Sequence, residues 1–288
     1  MQVWWGTPEG AIETAEFPLQ RFRPETAQFA SASTVSDTGS YLASVSVNST
    51  NQLVWWITET GAIDGQVNSG KGWASPGTGP GEAYPFNEAS TASTANGGSM
   101  TSLFTSTAYL FCVSPDGAIV GGSWSDTNSG TLGLMSPIAV APLKSAAPDG
   151  GLTSISVNAQ EIAVFWTTPK NSIDIAFLFE GPYSFRNFQR PLTVAQSVLG
   201  GTGIAVYSME ANQCSVWWIG QSSDLRRTNV DFTKVSSTPT PDWPVFEEVG
   251  PDSCKQTRSL LVQKVSGTQV DVFYVNAKGA VAGLSYES

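Results

Sequence analysis

The sequence predicts an all-β fold, a six-bladed β-propeller of four-stranded antiparallel blades, and three observations predict it. A pair of adjacent large residues recurs six times: Trp4-Trp5, Trp55-Trp56, Phe111-Cys112, Phe165-Trp166, Trp217-Trp218 and Phe273-Tyr274, at separations of 51, 56, 54, 52 and 56 residues. Each pair is followed at a fixed distance by a turn residue and then a branched aliphatic one. Strand-like runs flank most of these units, which brings each repeat to about four strands in about 53 residues, the period of a propeller blade.

The unit of each repeat is a hairpin. Six residues after the first member of each pair stands Gly10, Gly61, Gly117, Asn171, Ser223 or Gly279, and two further on stands Ile12, Ile63, Ile119, Ile173, Leu225 or Val281. A β-branched or aromatic strand, a tight turn that uses Gly or Asn to reach positive φ, and a second alternating strand make a β-hairpin of fixed register. Ahead of it lies an inner strand: "YLASVSVN" (41–48), "MTSLFTS" (100–106), "LTSISVN" (152–158), "GIAVYSM" (203–209) and "LLVQKVS" (260–266). After it comes a weaker segment that carries Trp73, Trp124, Tyr183 or Trp243. No stretch holds a 3.6-residue period over ten residues, which argues against helices. The expectation is one propeller domain over 1–288, with five inner strands for six hairpins: either the first blade lacks a strand or an N-terminal segment was removed.

Composition narrows the partners. The chain has 288 residues, 41% hydrophobic and 13% charged, with a formal net charge of -10. Such a surface argues against nucleic acid. Apolar runs stay under about ten residues, short of the roughly 18 to 20 that span a bilayer, so no membrane partner is expected. The absence of histidine removes His-based triads, His metal sites and the commonest general acid/base; no cofactor and no metal is expected. Three cysteines make no disulfide framework, although Cys214 and Cys254 are free to pair or not. The polar, low-lysine composition leans towards a secreted or secretory-pathway protein with its leader removed, in which Asn48-Ser49-Thr50 would be a glycosylation acceptor.

Repeated aromatics between blades have a plain structural role, filling wedge-shaped space. Those in the less regular Gly- and Pro-rich segments are the better binding candidates: Trp73, Tyr84, Trp124, Tyr183 and Trp243. In "YSFRNFQR" (183–190), Tyr183, Phe185 and Phe188 interleave with Arg186 and Arg190, and an arginine can both stack on a ring and donate hydrogen bonds. Lys71 beside Trp73 is the equivalent in the second repeat. Tyr41 and Tyr207, on inner strands, face either the centre or the space between blades. Arg226-Arg227, just after a hairpin turn, is expected to face solvent.

Repeats of this length with an aromatic strand, a Gly-containing turn and a trailing Trp, as in "QLVWWITETGAIDGQVNSGKGW" (52–73), resemble the fungal fucose-specific lectins, which are six-bladed propellers. That resemblance implies an Arg two residues before the first aromatic and a Glu two residues after the Ile, which together grip sugar hydroxyls. Here the Arg positions hold Gln2, Leu53, Tyr109, Ala163, Ser215 and Asp271, and the Glu positions hold Thr14, Gly65, Gly121, Ile175, Arg227 and Gly283. Without charge-assisted bonds to vicinal hydroxyls the fucose chemistry is expected to be lost.

A lectin-like propeller without its sugar-gripping pairs is also similar to the fold of the fungal hetero-Diels–Alderases, which join a quinone methide to a polyene terpene. A cycloaddition needs two partners held in a reactive orientation, water excluded and one donor to a carbonyl, with no metal or covalent intermediate. On this expectation Arg186, Lys71 and Tyr41 are the candidate catalytic donors. Trp73, Tyr84, Trp124, Tyr183, Phe185, Tyr207 and Trp243 are the candidate substrate walls, and the partners are small apolar or aromatic molecules. The alternative expectation is a glycan-binding lectin with altered or lost sugar specificity. A homodimer is compatible with either.

Overall fold

The computed structural model describes residues 2–6, 12–16, 23–25, 42–46, 51–57, 61, 63–69, 73–74, 99–105, 107–127, 131–132, 136–158, 161–179, 192–210, 212–234, 243–249, 254, 260–264 and 269–287. Among them the regular structure is β-strand, with one 3₁₀ turn at Phe232–Lys234. Among the described residues no helix is long and apolar enough to cross a membrane.

The strands form six antiparallel sheets in chain order. Sheet one is β1 (Gln2–Gly6), β2 (Ile12–Glu16) and β3 (Arg23–Glu25); sheet two is β4 (Leu42–Ser46), β5 (Asn51–Ile57), β6 (Ile63–Ser69) and β7 (Trp73–Ala74). Sheet three is β8 (Met100–Phe104), β9 (Thr107–Val113), β10 (Ile119–Thr127), β11 (Thr131–Leu132) and β12 (Ser136–Ala141), the last two both pairing with β10. Sheet four is β13 (Leu152–Asn158), β14 (Glu161–Thr167), β15 (Ile173–Phe179) and β16 (Leu192–Ala195). Sheet five is β17 (Ile204–Glu210), β18 (Gln213–Ile219), β19 (Leu225–Asp231) and β20 (Val245–Val249). Sheet six is β21 (Leu260–Lys264), β22 (Gln269–Val275) and β23 (Val281–Glu287). Consecutive strands pair within each sheet, so each is a meander, except that β12 returns to pair with β10. All five inner strands and all six hairpins read from the sequence are present. Trp124 is placed differently from the expectation: it lies on the third strand, β10, and not on a separate outer one.

The turn residue sits where the hairpin needs it. Gly61, Gly117 and Gly279 have φ of 83°, 77° and 81°, and Asn171 and Ser223 adopt 58° and 62°; Gly10 lies outside the described residues. In three repeats the carbonyl of this left-handed residue accepts a backbone N–H from the connector to the next sheet: Ala146 N–H to Gly117 at 2.9 Å, Val198 to Asn171 at 3.0 Å and Cys254 to Ser223 at 3.0 Å. The turn both closes the hairpin and anchors the chain that leaves the sheet.

The chain falls into two compact units, 1–116 with 120–137, and 117–119 with 138–288. In the first, a core joins Leu53, Trp55, Ile57 and Ile63 of sheet two to Met100, Ala108, Leu110 and Cys112 of sheet three. In the second, one core joins Ala163, Phe165, Ile175 and Phe177 of sheet four to Cys214, Val216, Trp218 and Val230 of sheet five. Another joins Tyr207, Trp217, Ile219 and Leu225 of sheet five to Val270, Val272, Tyr274 and Tyr286 of sheet six. The adjacent pairs now have a reason. Neighbouring strand residues point to opposite faces, so the first member packs forward onto the next sheet and the second packs back onto the preceding one. Each full burial is worth roughly 1.5–3 kcal/mol. The three cysteines are buried free thiols, which resolves the open pairing of Cys214 and Cys254.

Candidate functional site

The position read as the glutamate of a sugar grip lies directly opposite the first aromatic of each pair. The register pairs Trp4 with Thr14, Trp55 with Gly65, Phe165 with Ile175, Trp217 with Arg227 and Phe273 with Gly283. In sheets two and three the ring lies on the glycine itself. A Cβ built at Gly65 would stand 2.7 Å from the Trp55 ring and 2.6 Å from the Val54 carbonyl, and one at Gly121 would meet the Phe111 ring and the Leu110 carbonyl. No side chain fits there, let alone a glutamate. The matching arginine positions are closed too: Leu53, Tyr109 and Ala163 are buried in the core, and Tyr109 stacks on Phe111 with ring centroids 6.1 Å apart and planes 7° off parallel.

Sheet four carries the apolar version of the same position. Ile175 pairs with Phe165 on one side and Leu192 on the other; a register shift leaves Val194 as the extra residue of β16. Ile175, Val194, Phe165 and Val230 all lie in one core.

Sheet five departs from this pattern residue for residue. Arg227 pairs with Trp217 and with Phe246, and the equivalent shift leaves Glu248 as the extra residue of β20. Such a bulge re-aims one side chain, and here the Glu248 carboxylate accepts a hydrogen bond from Arg227 Nε. Arg227 Nη2 donates to the Tyr286 hydroxyl, and Nη1 donates to Asn229 Oδ1 at 3.3 Å, which also accepts from Ser215 Oγ at 2.5 Å. The guanidinium carbon lies 4.3 Å from the Tyr286 ring centroid, 4.5 Å from Phe246 and 5.7 Å from Trp217. Trp217 and Tyr286 meet edge to face at 5.9 Å. The expectation that Arg227 faces solvent is therefore corrected: it is 7% exposed, covered by Phe246 from its own sheet and Tyr286 from the next. Beside it Arg226 pairs with the fully buried Asp224.

This ring-walled ion pair was not among the candidates read from the sequence. Two of those candidates are placed with their side chains. Tyr207 is buried in the core between sheets five and six with Lys264 Nζ 5.7 Å from its ring, which settles its direction as between sheets. Trp243 is half-buried against the core between sheets four and five. Trp73 and Trp124 lie on β7 and β10, with side chains outside the described residues. Tyr41, Lys71, Tyr84, Tyr183, Phe185 and Arg186, and the acceptor Asn48-Ser49-Thr50, lie wholly outside them. Among the described residues no three His, Cys, Asp or Glu side chains gather as metal ligands would.

No protein-family profile matches the chain, and no curated protein matches it. Solved structures do. A lectin of Burkholderia pseudomallei is similar over 100% of this chain and 77% of its own, with a TM-score of 0.73 at 17% identity. The lectin of the fungus Aleuria aurantia, a six-bladed β-propeller with a fucose recognition mode, is similar over 99% of this chain and 86% of its own, with a TM-score of 0.64 at 13% identity. The SapL1 lectin, solved with alpha-methyl fucoside, is similar over 99% and 88%, with a TM-score of 0.67 at 13% identity. At these identities the likeness is one of fold, and with six meander sheets in chain order the chain has the fold of a lectin-like six-bladed β-propeller.

Proposed function

We propose that this chain is a carbohydrate-binding propeller whose sugar preference differs from the fucose type. The observation that supports the reading is the likeness of fold along the whole chain to lectins solved as fucose-binding proteins. The second half of the proposal follows from the closed glutamate positions: with Trp55 and Phe111 seated on Gly65 and Gly121, a fucose grip of the Arg–Glu kind has no place in those two sheets. A secreted protein suits such a role. A glycan array with titration of free fucose tests it. Binding to glycans with weak or absent competition by fucose is expected; no binding across the array would overturn it.

A second reading is favoured by the same closure. With no place for an Arg–Glu grip in sheets two and three, the partners need not be sugars, and a propeller can instead hold flat apolar molecules, as in a hetero-Diels–Alder cycloaddition between a quinone methide and a polyene terpene without metal or covalent intermediate. Here the partners would be small apolar substrates, with Arg186, Lys71 or Tyr41 as donor, and a homodimer is compatible. Incubating the purified protein with such a pair separates the readings. A changed rate or product stereochemistry supports the enzyme, and an unchanged outcome together with sugar binding supports the lectin.

A further inference from the structure

Resting on the carbohydrate reading, we infer that the ring-walled pair of Arg227 and Glu248 is a relocated sugar site, one per chain, that takes a neutral sugar. Two neighbouring interfaces fill the same register positions differently. Sheet four against sheet five uses Ile175, Val194, Leu192, Phe165 and Val230; sheet five against sheet six places Arg227, Glu248, Phe246, Trp217 and Tyr286 at the same register positions. The fold closes this interface with hydrocarbon alone in one case. A buried ion pair gives no more stability than well-packed apolar residues of similar volume and often less, so packing does not account for the second case.

The chemistry of the site accounts for it better. Three of the five guanidinium N–H groups are held by Glu248, Tyr286 and Asn229, which fixes the fork and leaves two donors. Glu248 Oε2 has no partner among the described residues, and the carboxylate is 16% exposed at its side chain. An acceptor and donors held side by side match the two hydroxyls of a vicinal pair. Phe246, 40% exposed, offers a ring to the C–H face of a sugar. The pair is neutral and the chain carries a net charge of -10, which disfavours acidic sugars. The grip also differs in place from the one the resemblance implies, because its arginine stands on the third strand and its glutamate on the fourth.

Calorimetric titration of the full chain with free fucose, galactose, mannose and N-acetylglucosamine, and with glucuronic acid as the acidic probe, tests the inference beside Glu248→Gln, Arg227→Lys and Phe246→Ala. Phe246→Ala keeps the test valid if the buried substitutions unfold the chain, since its ring is partly in solvent. The expected result is one neutral sugar per chain, at least tenfold weaker in Glu248→Gln and Phe246→Ala, and no glucuronate binding. Sugar binding that all the folded variants leave unchanged, or that saturates at several equivalent sites, would overturn the relocated site and leave the lectin reading standing. No sugar binding by the unaltered chain would overturn both.

Discussion

At the scale of the residue, Arg227 is held through three of its five N–H groups and by the rings around them. Its charge is enclosed by Trp217, Phe246 and Tyr286 and neutralised by Glu248. Removing one partner of a buried pair strands the other, at about 3–5 kcal/mol. Arg227→Ala and Glu248→Ala should each lower the unfolding free energy by about that amount in urea titration. The sequence could not announce this environment. In "LRRTNV" (225–230) the two arginines look alike, and what buries Arg227 stands 21 residues away at Glu248 and 59 away at Tyr286. The cysteines make a second case. Burial pushes the Cys112 thiol up to about 12 and that of Cys254 to about 11, with the Asp224 charge adding to the latter, and Cys214 is raised as well. The folded chain thus holds these protons more tightly than the unfolded chain, whose thiols ionise near 9.0. Their contribution to stability is whole below about pH 9 and is lost as pH rises from there through the folded values. Unfolding free energies measured from pH 7 to 11.5 should be flat in this contribution up to pH 9 and then fall. A thiol reagent at neutral pH should label all three cysteines in denaturant and leave the native chain largely unlabelled.

At the scale of the element, the hairpin was legible because a turn imposes its own spacing. A residue at positive φ six positions after the aromatic recurs in each of the five described turns, as the mixture of Gly, Asn and Ser at that position implied. What the spacing did not carry is the connector that docks on the turn: its donating residue follows a serine in all three repeats, Ser145-Ala146, Ser197-Val198 and Ser253-Cys254, but the connectors are otherwise unlike, and the contact observed is a backbone hydrogen bond. The two ends of that interaction give opposite predictions. At Gly117 a Cβ would meet the Ala146 carbonyl at 2.5 Å, and an L side chain in the left-handed region costs roughly 1–2 kcal/mol before any clash. Gly117→Ala should destabilise by more than about 2 kcal/mol. Ser223 already bears the left-handed cost, at φ 62°, so Ser223→Gly should be neutral to stabilising by up to about 1 kcal/mol, the gain being reduced by the freer unfolded chain. Thermal unfolding of both variants measures the pair; destabilisation by Ser223→Gly would mean that its side chain has a role the backbone argument misses.

At the scale of the whole molecule, six repeats of one hairpin showed the architecture, and the departures of single repeats from the common pattern showed where it had been altered. In sheets two to five the positions that read as missing Arg and Glu in the sequence proved to be of three physical kinds: glycine under a ring in sheets two and three, hydrocarbon in sheet four, and an ion pair in sheet five. Only the last introduces a cost that the fold has no need to bear, and this separates stability from binding in one experiment. Replacing Arg227, Glu248, Phe246 and Tyr286 together by the residues at the matching positions of the preceding interface, Ile, Val, Leu and Val, converts the site into the kind of core that already joins sheets four and five. The exchange removes both charges at once and leaves neither stranded, so it should be neutral or stabilising by about 1–4 kcal/mol, less whatever the smaller side chains leave unfilled. Each single alanine variant should be far less stable than this fourfold one, a non-additivity expected of residues in one network. Chemical unfolding gives the first quantity and sugar titration the second. A fourfold variant that stays folded and loses its ligand would mean that the ion pair is kept for recognition. One that falls by the sum of the single losses would mean that sheet six depends on the pair for its packing, and the apolar equivalence of the two interfaces would then be wrong.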